Sequence, residues 1–180
     1  MAAHWCGSVS FLPLTELRTR IEEHAARIGA PPDALPTYGT SDGLATPHLE
    51  VHAHATTAAT AVTRCVGAAL ARWGWGVPRW PPGYHLVIAE RGEEYSRRVT
   101  ADLDELLYWV LTDVAHATAI QRGRRAALSA AERLRWEYGE WGRLMGVLEP
   151  RWAVRWRQEQ AAVLAHLDPP PPTRTPVDPP

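Results

Sequence analysis

Among the residues whose types could do chemistry, His48, His52 and His54 come first, because they stand at even spacing with Glu50 between them. Side chains two or four places apart on a strand point to one face, and imidazole nitrogen is a good zinc ligand. No further Asp or Cys stands at a supporting spacing, so a small metal-dependent enzyme or metal-binding protein on His48, His52 and His54 is kept as the alternative reading. The carboxylate pairs Glu22-Glu23, Glu93-Glu94 and Asp104-Glu105 are adjacent in sequence. Adjacent side chains diverge, so none of them is a ready acid/base dyad. Arg122, Arg124 and Arg125 would suit phosphate, but cations at a helix C-terminus also meet its dipole, and that structural role is preferred. No nucleophile elbow, phosphate-binding loop, His-Glu-x-x-His or dinucleotide glycine fingerprint occurs. The residues therefore predict no catalysis and no cofactor.

The histidines must be positioned by a strand over His48–His54, where Leu49, Val51 and Ala53 alternate with polar residues. A second strand is predicted over Tyr84–Glu90, an Arg91-Gly92 hairpin turn follows, and Glu93–Thr100 returns antiparallel with Tyr95 and Val99 inward. Helices are expected from Leu14 to Gly29, from near Asp102, from a capping box at Ser129-Ala-Ala-Glu132, and from Pro150 to Leu167. The core positions of the third include Leu134, Trp141, Leu144, Met145 and Leu148, and those of the last include Trp152, Trp156, Val163, Leu164 and Leu167. Gly139, Gly142 and Gly146 weaken the third helix unless they permit a close helix contact. An insert at about 55–82 carries a further amphipathic pattern and then a Gly/Pro-rich run with Trp73, Trp75, Arg79 and Trp80.

These elements make an α+β fold: a small three-stranded antiparallel sheet packed against about four to five helices. The domain is expected to span 1–167, with a disordered Pro-rich tail at 168–180, where seven of thirteen residues are proline.

The 180 residues are 46% apolar and 22% charged, which supplies enough core material for one domain. Nineteen basic residues, all arginine, balance twenty acidic ones, so the excess positive field of a generic nucleic-acid binder is missing. Coding bias is the simplest reason for the lack of lysine. The richest apolar stretch, Ala58–Trp75, is broken by Arg64 and Arg72, so no membrane span is expected. Cys6 and Cys65 fit no zinc or disulfide framework, which predicts reduced thiols and a cytoplasmic location.

Several separated blocks resemble the Immunity protein 63 family, the predicted immunity proteins of bacterial polymorphic toxin systems. They are Thr37–Thr46, Pro47-His48-Leu49-Glu50-Val51, Gly83–Gly92, Asp102–Val110, and Leu-Met-Gly-x-Leu-x-Pro-x-Trp at Leu144–Trp152. The insert of about thirty residues departs from the short turn that the family places between the Pro-His-x-Glu-Val and Gly-Tyr-His segments. The resemblance implies a cytoplasmic antidote that binds a cognate protein toxin, with no nucleic acid, membrane or small-molecule substrate as partner. An inhibitor needs a stable scaffold and a complementary surface. That surface is expected on the polar sheet face, with His48, Glu50, His52, Glu94 and Arg98, and on the insert, with Trp73, Trp75, Arg79 and Trp80.

Overall fold

The computed structural model describes residues 10–52, 80–124 and 128–167. Both cysteines, the predicted insert helix, His54, Trp73, Trp75, Arg79, Arg125 and the Pro-rich tail lie outside the described residues. The chain divides into two compact units, Met1–His24 with Leu35–Leu111 and Ala25–Ala34 with Thr112–Pro180.

The first unit carries the sheet. Strands β1 (Thr37–Tyr38), β2 (Pro47–His52), β3 (Gly83–Glu90) and β4 (Glu93–Thr100) lie side by side in chain order. β2, β3 and β4 pair antiparallel as predicted, while β1 runs parallel to β2. The sheet is therefore four-stranded and mixed, which corrects the purely antiparallel three-stranded expectation. Two residues are too few to display a period of two, and they sit in a segment dominated by loop chemistry. The β3–β4 turn uses Arg91 and Gly92, both at positive φ (52° and 86°), the conformation that matches the twist of the flanking strands.

One irregularity governs the side-chain directions. Ile88 pairs with Ser96 but Ala89 pairs with Glu94, so Tyr95 is an extra residue in β4. Tyr95 is 66% exposed rather than inward, because a bulged residue has no partner opposite it to pack against. Beyond the bulge the alternation is inverted. Arg97 pairs with Val87 and so shares a face with His48, Glu50 and His85, whereas Arg98 pairs with Leu86 on the opposite face. There the Arg98 guanidinium lies 3.9 Å from the centre of the Trp109 ring.

The face carrying Leu49, Leu86 and Tyr84 is buried, as are Leu17 and Ile21 of helix α1 (Leu14–Arg27). Leu106, Leu107, Val110 and Leu111 of helix α2 (Leu103–Gly123) complete the apolar set of this unit. The Asp102 side chain caps α2 by accepting from the Asp104 amide at 2.9 Å. Gly83 opens β3 at φ 154°, and a Cβ there would stand 2.8 Å from the Thr100 carbonyl oxygen, so only glycine fits without movement.

The second unit is helical. Gly29, at φ 60°, ends α1: its amide donates to the Ala26 carbonyl and that of Ala30 to the Ala25 carbonyl, which closes the helix end. Helix α3 (Ala130–Leu148) begins with the predicted capping box, Ser129 and Glu132 each bonding the other's backbone. Glu149 is extended, as a residue before proline prefers, and Pro150 starts helix α4 (Pro150–Glu159). The predicted last helix breaks at Gln160 and resumes as α5 (Ala161–Leu167), none of whose residues is buried. Val163 is accordingly 39% exposed, and Leu134 is 43% exposed because the buried residues of α3 all lie in its second half. Trp141, Leu144, Met145, Leu148, Trp152 and Trp156 are buried as predicted, with Val114, Ala115 and Ala119 of α2.

The three α3 glycines play different roles. A Cβ on Gly142 would stand 2.6 Å from the Trp156 ring and one on Gly146 3.8 Å from the Ala153 Cβ, so α4 packs closely against this side. Gly139 is exposed and a Cβ there meets nothing within 4 Å. Gly139→Ala is expected to raise stability by about 0.5 to 1 kcal/mol, measured as a higher urea midpoint at unchanged slope.

Candidate functional site

The polar groups of the first unit converge on one side chain, Glu50. In the β2–β3 register it pairs with His85, while its neighbours on the same face are His48 and His52. The Arg97 Nη1 donates to Glu50 Oε2 at 2.7 Å and to His85 Nδ1 at 2.8 Å. Its Nε and Nη2 donate to the two Glu94 oxygens at 3.0 and 2.8 Å, a bidentate pair. Glu94 and Arg97 are three residues apart, a spacing that regular alternation would send to opposite faces. The extra residue at Tyr95 is what lets them meet.

The histidines fill the rest of the network. His52 Nε2 donates to Glu50 Oε2 at 2.9 Å and His48 Nε2 to Glu50 Oε1 at 3.3 Å. His85 Nε2 donates to the Pro81 carbonyl at 2.8 Å, which leaves the Nδ1 lone pair to accept from Arg97 and fixes the ring's tautomer. The His52 and His85 rings lie 4.3 Å apart between centres. The Arg97 guanidinium also covers the Trp80 ring at 4.2 Å.

Burial makes these pairings matter. The side chains of Arg97 and His48 are 9% and 6% exposed, those of Glu50, Glu94 and His52 between 24% and 35%, and His85 is fully buried. Burial would push the Glu50 carboxyl up, but hydrogen bonds from Arg97, His52 and His48 outweigh it and hold the group at about 2. Burial also opposes the Arg97 charge, and Glu94 and Glu50 overcome it, so its pKa is raised further. His85 is pushed down, chiefly by burial, and so stays neutral in neutral solution.

The polar sheet face expected to meet a partner is only partly accessible, since His48 and His85 on it are buried. Sequence reasoning placed His48, Glu50, His52, Glu94 and Arg98 on that face, and the first four do join one hydrogen-bonded network. Arg98 does not reach it, because the bulge turns that side chain to the other face. Arg97 and His85 were missed. Alternation along Tyr84–Glu90 puts His85 on the face away from Tyr84 and Leu86, and the register then sets it opposite Glu50; the bulge that selects Arg97 over Arg98 leaves no mark in residue types. Among the described residues Glu50, His52 and His85 also form a group whose potential metal-ligand atoms all lie within 4.8 Å of one another. In the second unit, Arg122 bonds Glu140 at 2.6 Å and also the Ile28 carbonyl, so this cation has a structural role.

The fold is α+β, and on the polar face of its sheet Glu50, Glu94 and Arg97 are paired with one another and with His48, His52 and His85. The family model of Immunity protein 63 matches residues 81–162, which run from the segment before β3 through α4 into the start of α5. The resemblance read in the sequence is thus borne out over that stretch, which holds the Gly83–Gly92, Asp102–Val110 and Leu144–Trp152 blocks but not those at Thr37–Val51, and the matched family is one of immunity proteins. No curated protein and no solved structure matches the chain. No helix among the described residues is long and apolar enough to cross a membrane.

Proposed function

We propose that this protein is a bacterial immunity protein that neutralises a cognate polymorphic toxin in the cytoplasm by stoichiometric protein–protein contact and catalyses nothing itself. The observation that carries this reading is the family match over residues 81–162, which includes β3, β4 and three helices. The network agrees with it: Arg97 is bonded to both Glu50 and Glu94, and His85 has a partner on each nitrogen, so these groups give the polar face a fixed shape. A preformed surface saves the ordering cost of association. The contact surface is assigned to the accessible members of the polar face, Glu50, His52, Glu94 and Trp80, with Trp73, Trp75 and Arg79 of the insert. His48 is too deeply buried to touch a partner and supports Glu50 instead.

Co-expression with the polymorphic toxin encoded beside this gene is expected to restore growth and to yield a complex that copurifies. Trp80→Ala combined with His52→Ala, in a chain whose circular dichroism is unchanged, is expected to weaken that complex at least tenfold, in line with loss of an aromatic anchor worth ~2 kcal/mol. Failure of the wild-type chain to rescue growth while folded would remove the immunity reading. Full affinity in the double variant would move the contact surface elsewhere.

A further inference from the structure

We propose that Glu50, His52 and His85 form a site for one divalent transition-metal ion of the zinc class, in which the Arg97 guanidinium is the resident cation that the metal displaces. The set differs from the histidine triplet visible in the sequence, because it spans two strands and takes His85 from β3. One carboxylate oxygen and one nitrogen from each imidazole already lie within 4.8 Å of one another, close enough for one small ion to draw them in. Two imidazoles and a carboxylate suit zinc, cobalt or nickel and would leave positions for water.

Two further features point to a cation at this place. First, His85 has the arrangement that metal-binding histidines use: its Nε2–H is anchored on the Pro81 backbone carbonyl, and its Nδ1 lone pair faces the centre of the cluster. Second, the centre already holds positive charge, since Arg97 Nη1 bridges Glu50 Oε2 and His85 Nδ1 at 2.7 and 2.8 Å. An incoming ion would take over both of these acceptors, while Arg97 keeps its two bonds to Glu94. Among the described residues, a recess of ≈ 460 Å³ lined by Glu50, His52 and Trp80 together with Leu14, Gly39 and Val51 borders two of the three ligands. Affinity is then set by competition between the ion and Arg97, and neutralising Arg97 strengthens binding by removing a like charge.

The test is titration of the untagged full-length chain with cobalt(II), followed by visible absorption, with zinc as competitor. One equivalent of cobalt is expected to give the ligand-field bands of a four- or five-coordinate site, and zinc to abolish them. Glu50→Gln and His52→Ala, both at partly exposed positions, should each lower affinity at least tenfold, and Arg97→Met should raise it at least tenfold. Absence of binding to the wild-type chain at millimolar metal overturns the proposal, and so does binding that appears only after Arg97 is removed. Unchanged affinity in both Glu50→Gln and His52→Ala overturns it too, by placing the ion elsewhere. If Arg97→Met does not fold, those two variants decide. None of this depends on the toxin-binding reading: metal titration of the isolated chain and growth rescue succeed or fail separately.

Discussion

Arg97→Met is expected to lower the stability of the folded chain by about 2 to 3 kcal/mol, read as a fall in the urea midpoint. Methionine matches much of the aliphatic stem but leaves Glu94 without its bidentate partner and Glu50 without its shortest one. Breaking a buried ion pair typically costs ~3 to 5 kcal/mol. The lower figure applies because the Glu50 and Glu94 side chains are 24% and 33% exposed, so water screens part of the loss. A second substitution separates the orphaned charge from the lost packing. Adding Glu50→Gln to Arg97→Met should recover part of the deficit, since the more buried of the two carboxylates that lose Arg97 is then gone. A change below about 0.5 kcal/mol for Arg97→Met would mean that the network contributes nothing to folding.

The second large effect is Gly142→Ala, which should destabilise by about 2 to 3 kcal/mol although alanine is the better helix former. The added methyl would sit 2.6 Å from Trp156 Cζ3 and 3.1 Å from Cη2, well inside contact distance. Trp156 is 2% exposed and its ring lies 5.2 Å from that of Trp141, so it has little room to retreat without pushing a second indole. The cost should shrink to below 1 kcal/mol when measured in a Trp156→Leu background, because the smaller side chain leaves space for the methyl. Equal costs in the two backgrounds would show that the helices do not meet at this point. The opposite sign expected at Gly139, on the solvent side of the same helix, serves as the control.

Both predictions rest on features that the sequence reveals unequally. Helix starts were legible because they depend on local chemistry: Ser129 and Glu132 cap α3, Asp102 caps α2 and Pro150 opens α4. Buried tryptophans at helical spacing were legible for the same reason. The break at Gln160 was not, since the apolar pattern continues through it and no proline or glycine marks it. β1 was missed because its parallel pairing with β2 is only two residues long. The site was half visible: period-two spacing grouped His48, Glu50 and His52, but which arginine joins them depends on strand register, a tertiary property.

The extra residue at Tyr95 has a consequence for descent as well as for geometry. It acts as a phase marker, so the identity of the arginine that neutralises Glu50 is governed by how many residues the hairpin contains, not by which residues they are. A related chain that kept Glu50, His85, Glu94 and Arg97 but ran one residue shorter here would carry every letter of the cluster and still not assemble it. For this hairpin, insertions and deletions are as informative about function as substitutions.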